Sequence, residues 1–427
     1  MTRARLAAAP RGPAARGYTA VLGSTVLTLS ATFSASFSAI FSLTMSASEV
    51  TAGPLIMQPY AEPLFFDRRL ELHPTASLGS GYDSNLDGHG TGDAFVHGTL
   101  GGDAHWYATP DLVAHLNLEA GRWTYVKTPN RDTDDLLADL EVFYVGPEWD
   151  VTSGAGGARG RVAEPITGEQ VLRSRVGTDL GGERREPGLY LKAGIFAERI
   201  EYHEDTLLFS ATQANKSRWG GALRSGWRLI DYTRIYLFSR GSWSSYDDEG
   251  RFRNGVLAAY GAGCGFALTP SVAATAELGL ATGHYSAPTF ADPAYDDRFV
   301  KSPLVDLGLR WDWEPGSQLT LGADCGLADG RTANAVRRYG LGLLGEVRLR
   351  EQVRAFGEAD WHREQDSGAA ANAELPVRDI TTATAGVRGT LIPGVGLQVS
   401  TGWARTVDNV GAGYDRVLIE ATIGLAF

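Results

Sequence analysis

Several things are scarce in this chain, and each scarcity narrows what it can be. Only two cysteines, Cys264 and Cys325, occur in 427 residues. A secreted protein stabilised by disulfides carries more, and both cysteines fall on the apolar parity of alternating stretches, where they read as small hydrophobic side chains. After residue 50 no stretch approaches the ~20 unbroken apolar residues of a membrane helix. That excludes a helical bundle in a bilayer and leaves strands open. Lysine is nearly absent: only Lys127, Lys192, Lys216 and Lys301 occur among 39 basic residues, so 35 are arginine. The formal charge of −11 and a pI near 5.3 argue against nucleic acid as a partner. The sequence holds no G-x-S-x-G elbow and no H-E-x-x-H pair. The GAGCG stretch at 261–265 is followed by no helical pattern and is not a nucleotide loop. No enzyme chemistry, cofactor or metal site is expected.

What is abundant is glycine and alternation. Glycine accounts for 53 residues, about 12% against a usual ~7%. The first 50 residues differ from the rest. Arg3, Arg5, Arg11 and Arg16 precede a long run of apolar and small residues (21–45), then Ser46-Ala47-Ser48. This reads as a cleaved secretory signal over 1–48, with maturation near Ser48 or Ala52. The uncleaved alternative, an anchor helix, is made poor by the Ser and Thr content of the run. No cysteine follows to carry a lipid. Residues 49–70 read as a short periplasmic segment before the main domain, 71–427.

From about residue 72 one pattern repeats: an alternating run of roughly 11 to 15 residues, then a break. A period of two means a strand with two unlike faces. One kind of break is short and holds Pro or Gly, as at 109–111, 146–148, 269–271, 314–317 and 392–394. The other is longer and polar, as at 83–93, 127–135, 201–215, 247–254, 284–303, 362–379 and 407–415. About eighteen runs result. The fifth, 149–158, is glycine-rich and alternates least, so sixteen is the alternative count. Short turns alternating with long loops, on an even strand number, are the rhythm of an up-and-down antiparallel transmembrane β-barrel with short periplasmic turns and longer outer loops.

One parity along the runs is free of charge, as in Leu112-Ala114-Leu116-Leu118-Ala120 and Val272-Ala274-Ala276-Leu278-Leu280. Trp106, Trp219, Trp227, Trp243, Trp311, Trp313, Trp361 and Trp403 fall on that parity near strand ends. A soluble core would favour such rings at its centre, whereas a barrel places them in two interfacial girdles. The last stretch, Tyr414–Phe427, alternates Val417, Ile419, Ala421, Ile423, Leu425 and Phe427 against mixed residues. It resembles the terminal targeting strand of bacterial outer-membrane β-barrel proteins. The opening run ends in Gly81-Tyr82-Asp83-Ser84-Asn85, which is similar to the start of Gram-negative β-barrel porin-like families. The resemblance implies the barrel fold, a place in the outer membrane among its lipids, and recognition of strand 414–427 by the barrel assembly machinery, with Phe427 in the periplasmic girdle. The two termini should pair to close the sheet. Self-association is left open, since no flat apolar patch can be located.

The other parity carries charge. Between 170 and 245 it holds Arg173, Arg175, Lys192, Arg218, Arg224, Arg228, Arg234 and Arg240, against Asp179 and Glu198. Between 271 and 363 it holds Glu277, Asp306, Asp312, Asp324, Glu346, Glu358 and Asp360, interrupted by Arg310, Arg338 and Arg348. One reading is a basic wall facing an acidic wall, a transverse field like the constriction of diffusion porins, with guanidinium suited to holding carboxylate or phosphate. The other is that these charges solvate a wide lumen or pair across strands. The loop 284–303, with Phe290, Tyr295, Asp292, Asp296 and Asp297, is a candidate for folding inward over the bare face Gly261, Gly263, Gly265. His105 and His115 should face each other if Pro110 centres its turn, with Asp103 alongside. That is a pair able to sense pH or hold a metal, though it lacks an evident third ligand. The acidic loops DTDD (132–135) and DPAYDD (292–297) lack regular calcium-loop spacing. The expected function is a passive channel for small hydrophilic solutes. Export of an anionic polysaccharide and a non-conducting scaffold are the alternatives.

Overall fold

The computed structural model describes residues 65–67, 69–86, 90–164, 168–205, 211–230, 233–247, 253–286, 298–330, 334–367, 377–409 and 413–426. The expected signal segment and Phe427 therefore lie outside the described residues, as does most of the loop 284–303.

The described chain is almost wholly strand. In order these are β1 (Phe65–Asp67), β2 (Leu70–Asp83), β3 (Asp93–Thr109), β4 (Leu112–Tyr125), β5 (Thr133–Val145), β6 (Trp149–Ala163) and β7 (Gln170–Arg184). There follow β8 (Leu189–Tyr202), β9 (Lys216–Ile230), β10 (Thr233–Tyr246), β11 (Gly255–Thr269), β12 (Val272–Tyr285) and β13 (Phe299–Glu314). The last are β14 (Ser317–Asp329), β15 (Ala335–Arg350), β16 (Val353–Asp366), β17 (Val377–Ile392), β18 (Val395–Asp408) and β19 (Gly413–Ala426). Each of β2 to β19 pairs antiparallel with its neighbours in chain order, and β19 returns to pair with β2 from Leu418 opposite Asp83 to Ala426 opposite Thr75. The sheet is thus a closed eighteen-strand barrel, with the short β1 laid against the start of β2 through Phe65 opposite Leu72. Closure leaves no backbone edge unpaired, which is the condition for strands to cross a bilayer.

The connections alternate as their composition predicts. Within the barrel, those after β3, β5, β7, β9, β11, β13, β15 and β17 leave two to four residues between strands, and those after β2, β4, β6, β8, β10, β12, β14, β16 and β18 leave four to thirteen. Five of the short turns are preceded by a break in register, at Tyr107/Thr109, Ala267/Thr269, Asp312/Glu314, Arg348/Arg350 and Thr390/Ile392. These bulges add local twist where the chain reverses. Pro315-Gly316 and Pro393-Gly394 supply fixed φ followed by positive φ (84° at Gly316, 78° at Gly394), as a tight two-residue turn requires. The connections 164–169 and 330–334 fall in the gaps between the expected runs and keep the alternation of long and short. The strand expected at 149–158 runs on to Ala163, pairing with β7 along its whole length and with β5 from Asp150 to Arg159. Its alternation is faint because Gly154, Gly156 and Gly160 have no side chain to show it. A Cβ on each would lie 2.5 or 2.6 Å from an oxygen of Asp179, Asp139 and Asp135 respectively, so neighbouring carboxylates lie over the bare strand.

Exposure separates the two faces. Along β19, Val417, Ile419, Ile423 and Leu425 are exposed while Arg416, Leu418, Glu420 and Thr422 are buried. The exposed parity elsewhere carries Leu78, Val96, Leu100, Leu118, Val176, Ile195, Leu237 and Leu278. The outside is therefore apolar. The inner side has apolar patches rather than one core: Leu86, Phe95, Tyr125, Ala404, Tyr414 and Leu418 in one, and Tyr190, Tyr236, Phe238, Ala259, Ala281 and Leu304 in another.

Candidate functional site: the charged inner wall

Because a strand shows every second residue to each face, the inward set follows from the burial pattern. Every charged residue expected on the inner face shares the inward parity. On β7 to β10 these are Arg173, Arg175, Lys192, Arg218, Arg224, Arg228, Arg234 and Arg240. On β12 to β16 they are Glu277, Asp306, Asp312, Asp324, Glu346, Glu358 and Asp360.

The structure alters the picture of two facing walls. The two arcs are centred about five to six strands apart on a ring of eighteen, where diametric opposition needs nine. They meet over β11. Arg224 Nε on β9 donates to Glu277 Oε1 on β12 at 2.8 Å, across two intervening strands, and Tyr236 Oη donates to the same oxygen at 3.0 Å. Arg240 Nη1 lies 3.7 Å from Glu277 and 3.9 Å from Asp306. The bare glycines of β11 make this span fit. A Cβ at Gly263 would meet the Tyr236 ring at 2.6 Å, and one at Gly265 would meet Arg234 Nε at 3.0 Å. The room expected for an infolded loop at these two glycines is filled from β10.

Most other inward cations also have a carboxylate. Glu198 takes Arg218 at 2.6 Å and Arg175 at 3.0 Å, and Arg228 Nη2 donates to Glu183 at 2.9 Å. Asp312 accepts from Arg310 at 3.0 Å, and Asp324 lies 3.9 Å from Arg338. Glu346 bridges Arg354, at 2.8 Å, and Arg388. Asp360 meets His362 Nδ1 at 3.0 Å. Glu358 has no ion pair among the described residues. Arg234 has none either; its guanidinium rests over the Tyr190 ring, 5.0 Å from the centroid.

Sequence reasoning missed an acidic arc on β4 to β6 and the adjoining face of β7. Glu119, Asp135 and Asp139 face inward there beside the expected Asp179, and none of the four has an ion pair among the described residues. The inward parity of β4 and β5 carried the signal, but the glycine-rich β6 hid the continuity of the arc. The inward aromatics Tyr190, Tyr236 and Phe238 went unread as well, although the parity of β8 and β10 places them beside Lys192, Arg234 and Arg240. Where β19 meets β2, Arg416 Nε and Nη2 donate to Asp83 at 3.0 and 2.6 Å, and His97 Nε2 lies 2.8 Å from Glu420. Just past the strand end, Asp247 accepts from both terminal nitrogens of Arg199, 2.9 and 2.8 Å away, which holds its carboxyl below the usual carboxylate range.

His105 and His115 are cross-strand partners, and their rings stack 4.6 Å apart at 11°. His73 approaches His105 edge-on at 5.9 Å, while His115 Nε2 lies 2.9 Å from Asp103 Oδ1. Stacked rings hold their nitrogen lone pairs in parallel planes, so the pair does not converge on one ion.

The eight tryptophans sit on the outward parity. Trp106, Trp227, Trp311 and Trp313 lie toward the short-turn end, and Trp219, Trp243, Trp361 and Trp403 toward the long-loop end. Trp219 and Trp243 are direct cross-strand partners with rings stacked at 6.5 Å. Together, closure, an apolar outside and a charged inside decide the architecture. The chain is an outer-membrane-type β-barrel.

No protein-family model matches the sequence, and no curated protein matches it. Among solved structures, the copper transporter OprC is similar with a TM-score of 0.45 at 13% identity, over 86% of this chain and 82% of that one. OpdK of Pseudomonas aeruginosa, solved with vanillate, gives 0.42 at 11% identity, over 83% of this chain and 99% of its own. OccAB4 of Acinetobacter baumannii gives 0.44 at 11% identity, over 84% and 99%.

Proposed function

We propose that the protein is a porin-like channel of a bacterial outer membrane, a passive route for small hydrophilic solutes. The observation that carries this reading is the division of the wall: apolar side chains outside, and a continuous belt of arginine, carboxylate, histidine and tyrosine inside a closed barrel. Lipid demands the first, and a water-filled lumen rewards the second. On this reading residues 1–48 are an export signal removed in maturation, and the two levels of outward tryptophan are the interfacial girdles. The terminal stretch 414–427 is the strand offered to the assembly machinery.

Export of an anionic polymer, which a bare arginine track would favour, loses ground to the ion pairs. Arg218, Arg224 and Arg228 each hold a carboxylate within 2.9 Å, so acids interrupt the arginine track along its length. A non-conducting scaffold would have no use for so many inward charges, each of which costs desolvation unless paired or wet. The test is swelling of liposomes containing refolded protein in sugars of graded mass. Uptake should be fast for monosaccharides and fall steeply with size. Vesicles that fail to swell in any sugar would remove the channel reading.

A further inference from the structure

In one patch of the inner wall the cations outnumber the carboxylates: Lys192, Arg224, Arg228 and Arg234 stand beside Glu183 and Glu277. In the ladders of β8, β9 and β10, Lys192 is the direct partner of Arg224, and Arg228 is the direct partner of Arg234. Both registers put like charges opposite each other, about 5 Å apart at Cα, an arrangement that destabilises a sheet. Between the two rows Gly226 lies opposite both Tyr190 and Tyr236, whose rings meet at 5.2 Å. Those rings are buried, and they carry Arg234 and Arg224 on their faces at 5.0 and 5.8 Å. The carboxylates within reach are Glu183, taken by Arg228, and Glu277, shared by Arg224 and Arg240. Lys192 feels Glu183 but also the charges of Arg224 and Arg234. Arg234 has no carboxylate partner among the described residues.

We propose that Arg228 and Arg234, backed by Lys192 and Arg224, form an oxyanion-binding site in the lumen wall near its short-turn end, taking the carboxylate or phosphate group of a small solute. Two guanidinium forks on adjacent strands can grip one planar or tetrahedral oxyanion from two sides. The bound anion relieves the repulsion built into both registers. Tyr190 and Gly265 fix Arg234 in place: the ring supports the guanidinium from one side, and the missing Cβ leaves it space on the other. This deepens the channel reading and rests on it for the origin of the solute, although binding itself can be measured without conduction.

The experiment is calorimetric titration of refolded protein in detergent with inorganic phosphate and, separately, with acetate, alongside bilayer recording of the same preparation. Wild type should bind phosphate at one site. Arg234→Gln should weaken binding about tenfold or more, and Arg234→Lys, which keeps the charge but loses the fork, should fall between. Arg310→Gln, at a lumen arginine already held by Asp312, should change affinity less than twofold. Heat-modified mobility on gels verifies that each variant folds. Absence of phosphate and acetate binding in wild type overturns the proposal, as does equal weakening in the Arg234 and Arg310 variants. Binding without conductance would uphold the site and refute the channel. Conductance without binding would do the reverse.

Discussion

The seam between the first long strand and the last should be the most sensitive place to break one ion pair. Arg416 on β19 donates two hydrogen bonds to Asp83 on β2, with 5% and 1% of the side chains exposed. The β2–β19 ladder stops at Leu418 opposite Asp83, while β18–β19 continues to Val407 opposite Gly413. Just past the end of that ladder the Ser84 N–H donates to the Val417 carbonyl at 2.9 Å, and the ion pair reinforces the outer part of the seam beside it. Arg416→Ala leaves the Asp83 carboxylate buried, with the Asn85 N–H still donating to it from 3.1 Å away. Stranding one member of a buried pair costs about 3–5 kcal/mol. Replacing both, Asp83→Leu with Arg416→Met, should restore most of that, because two packed apolar side chains carry no uncompensated charge. The assay is urea unfolding of protein refolded into vesicles, read by tryptophan fluorescence. If Arg416→Ala lies within about 1 kcal/mol of wild type, or the double variant is as damaged as the single one, the pair does not hold the seam in the way argued.

Leu237 projects outward, 68% exposed, between the inward Tyr236 and Phe238. Leu237→Arg should cost about 2–4 kcal/mol in a bilayer, measured by the same unfolding assay, and much less in a detergent that lets the charge reach water. Gly263→Val would drive a side chain into the Tyr236 ring, so the Tyr236–Glu277 bond should be lost, with about 1–3 kcal/mol of overpacking visible in the midpoint. Removing Phe427 should lower the amount of folded barrel in the outer membrane of expressing cells while leaving the conductance of assembled channels unchanged. Normal insertion of the truncated protein would contradict the targeting role of the terminal strand.

The fold was legible in the sequence to the degree that each strand wrote its two faces in side chains. β4, β8, β12 and β19 did so plainly, and the closure of β19 on β2 followed from the need to leave no edge in lipid. β6 did not, because glycine writes nothing on either face. The inner site was legible as a set of residues and illegible as a set of partners. Parity tells which side Arg224 faces, but not that its side chain lies across β10 and β11 to reach Glu277. That reach depends on Gly263 and Tyr236, which alternation alone treats as unrelated positions. The two walls proved to be adjoining arcs for the same reason: a strand count gives order around the ring, whereas electrostatic opposition depends on angular separation and side-chain length.

A channel requires a water-filled path through the barrel, and single-channel recording of refolded protein in planar bilayers tests that most directly. Potassium chloride should give steady, ohmic steps of uniform size. Replacing chloride by phosphate should reduce the current by more than the lower mobility of phosphate accounts for, as the anion dwells at Arg234, and Arg234→Gln should remove that excess. A bilayer that stays silent while the same preparation is shown by gel mobility to be folded and inserted would contradict the account.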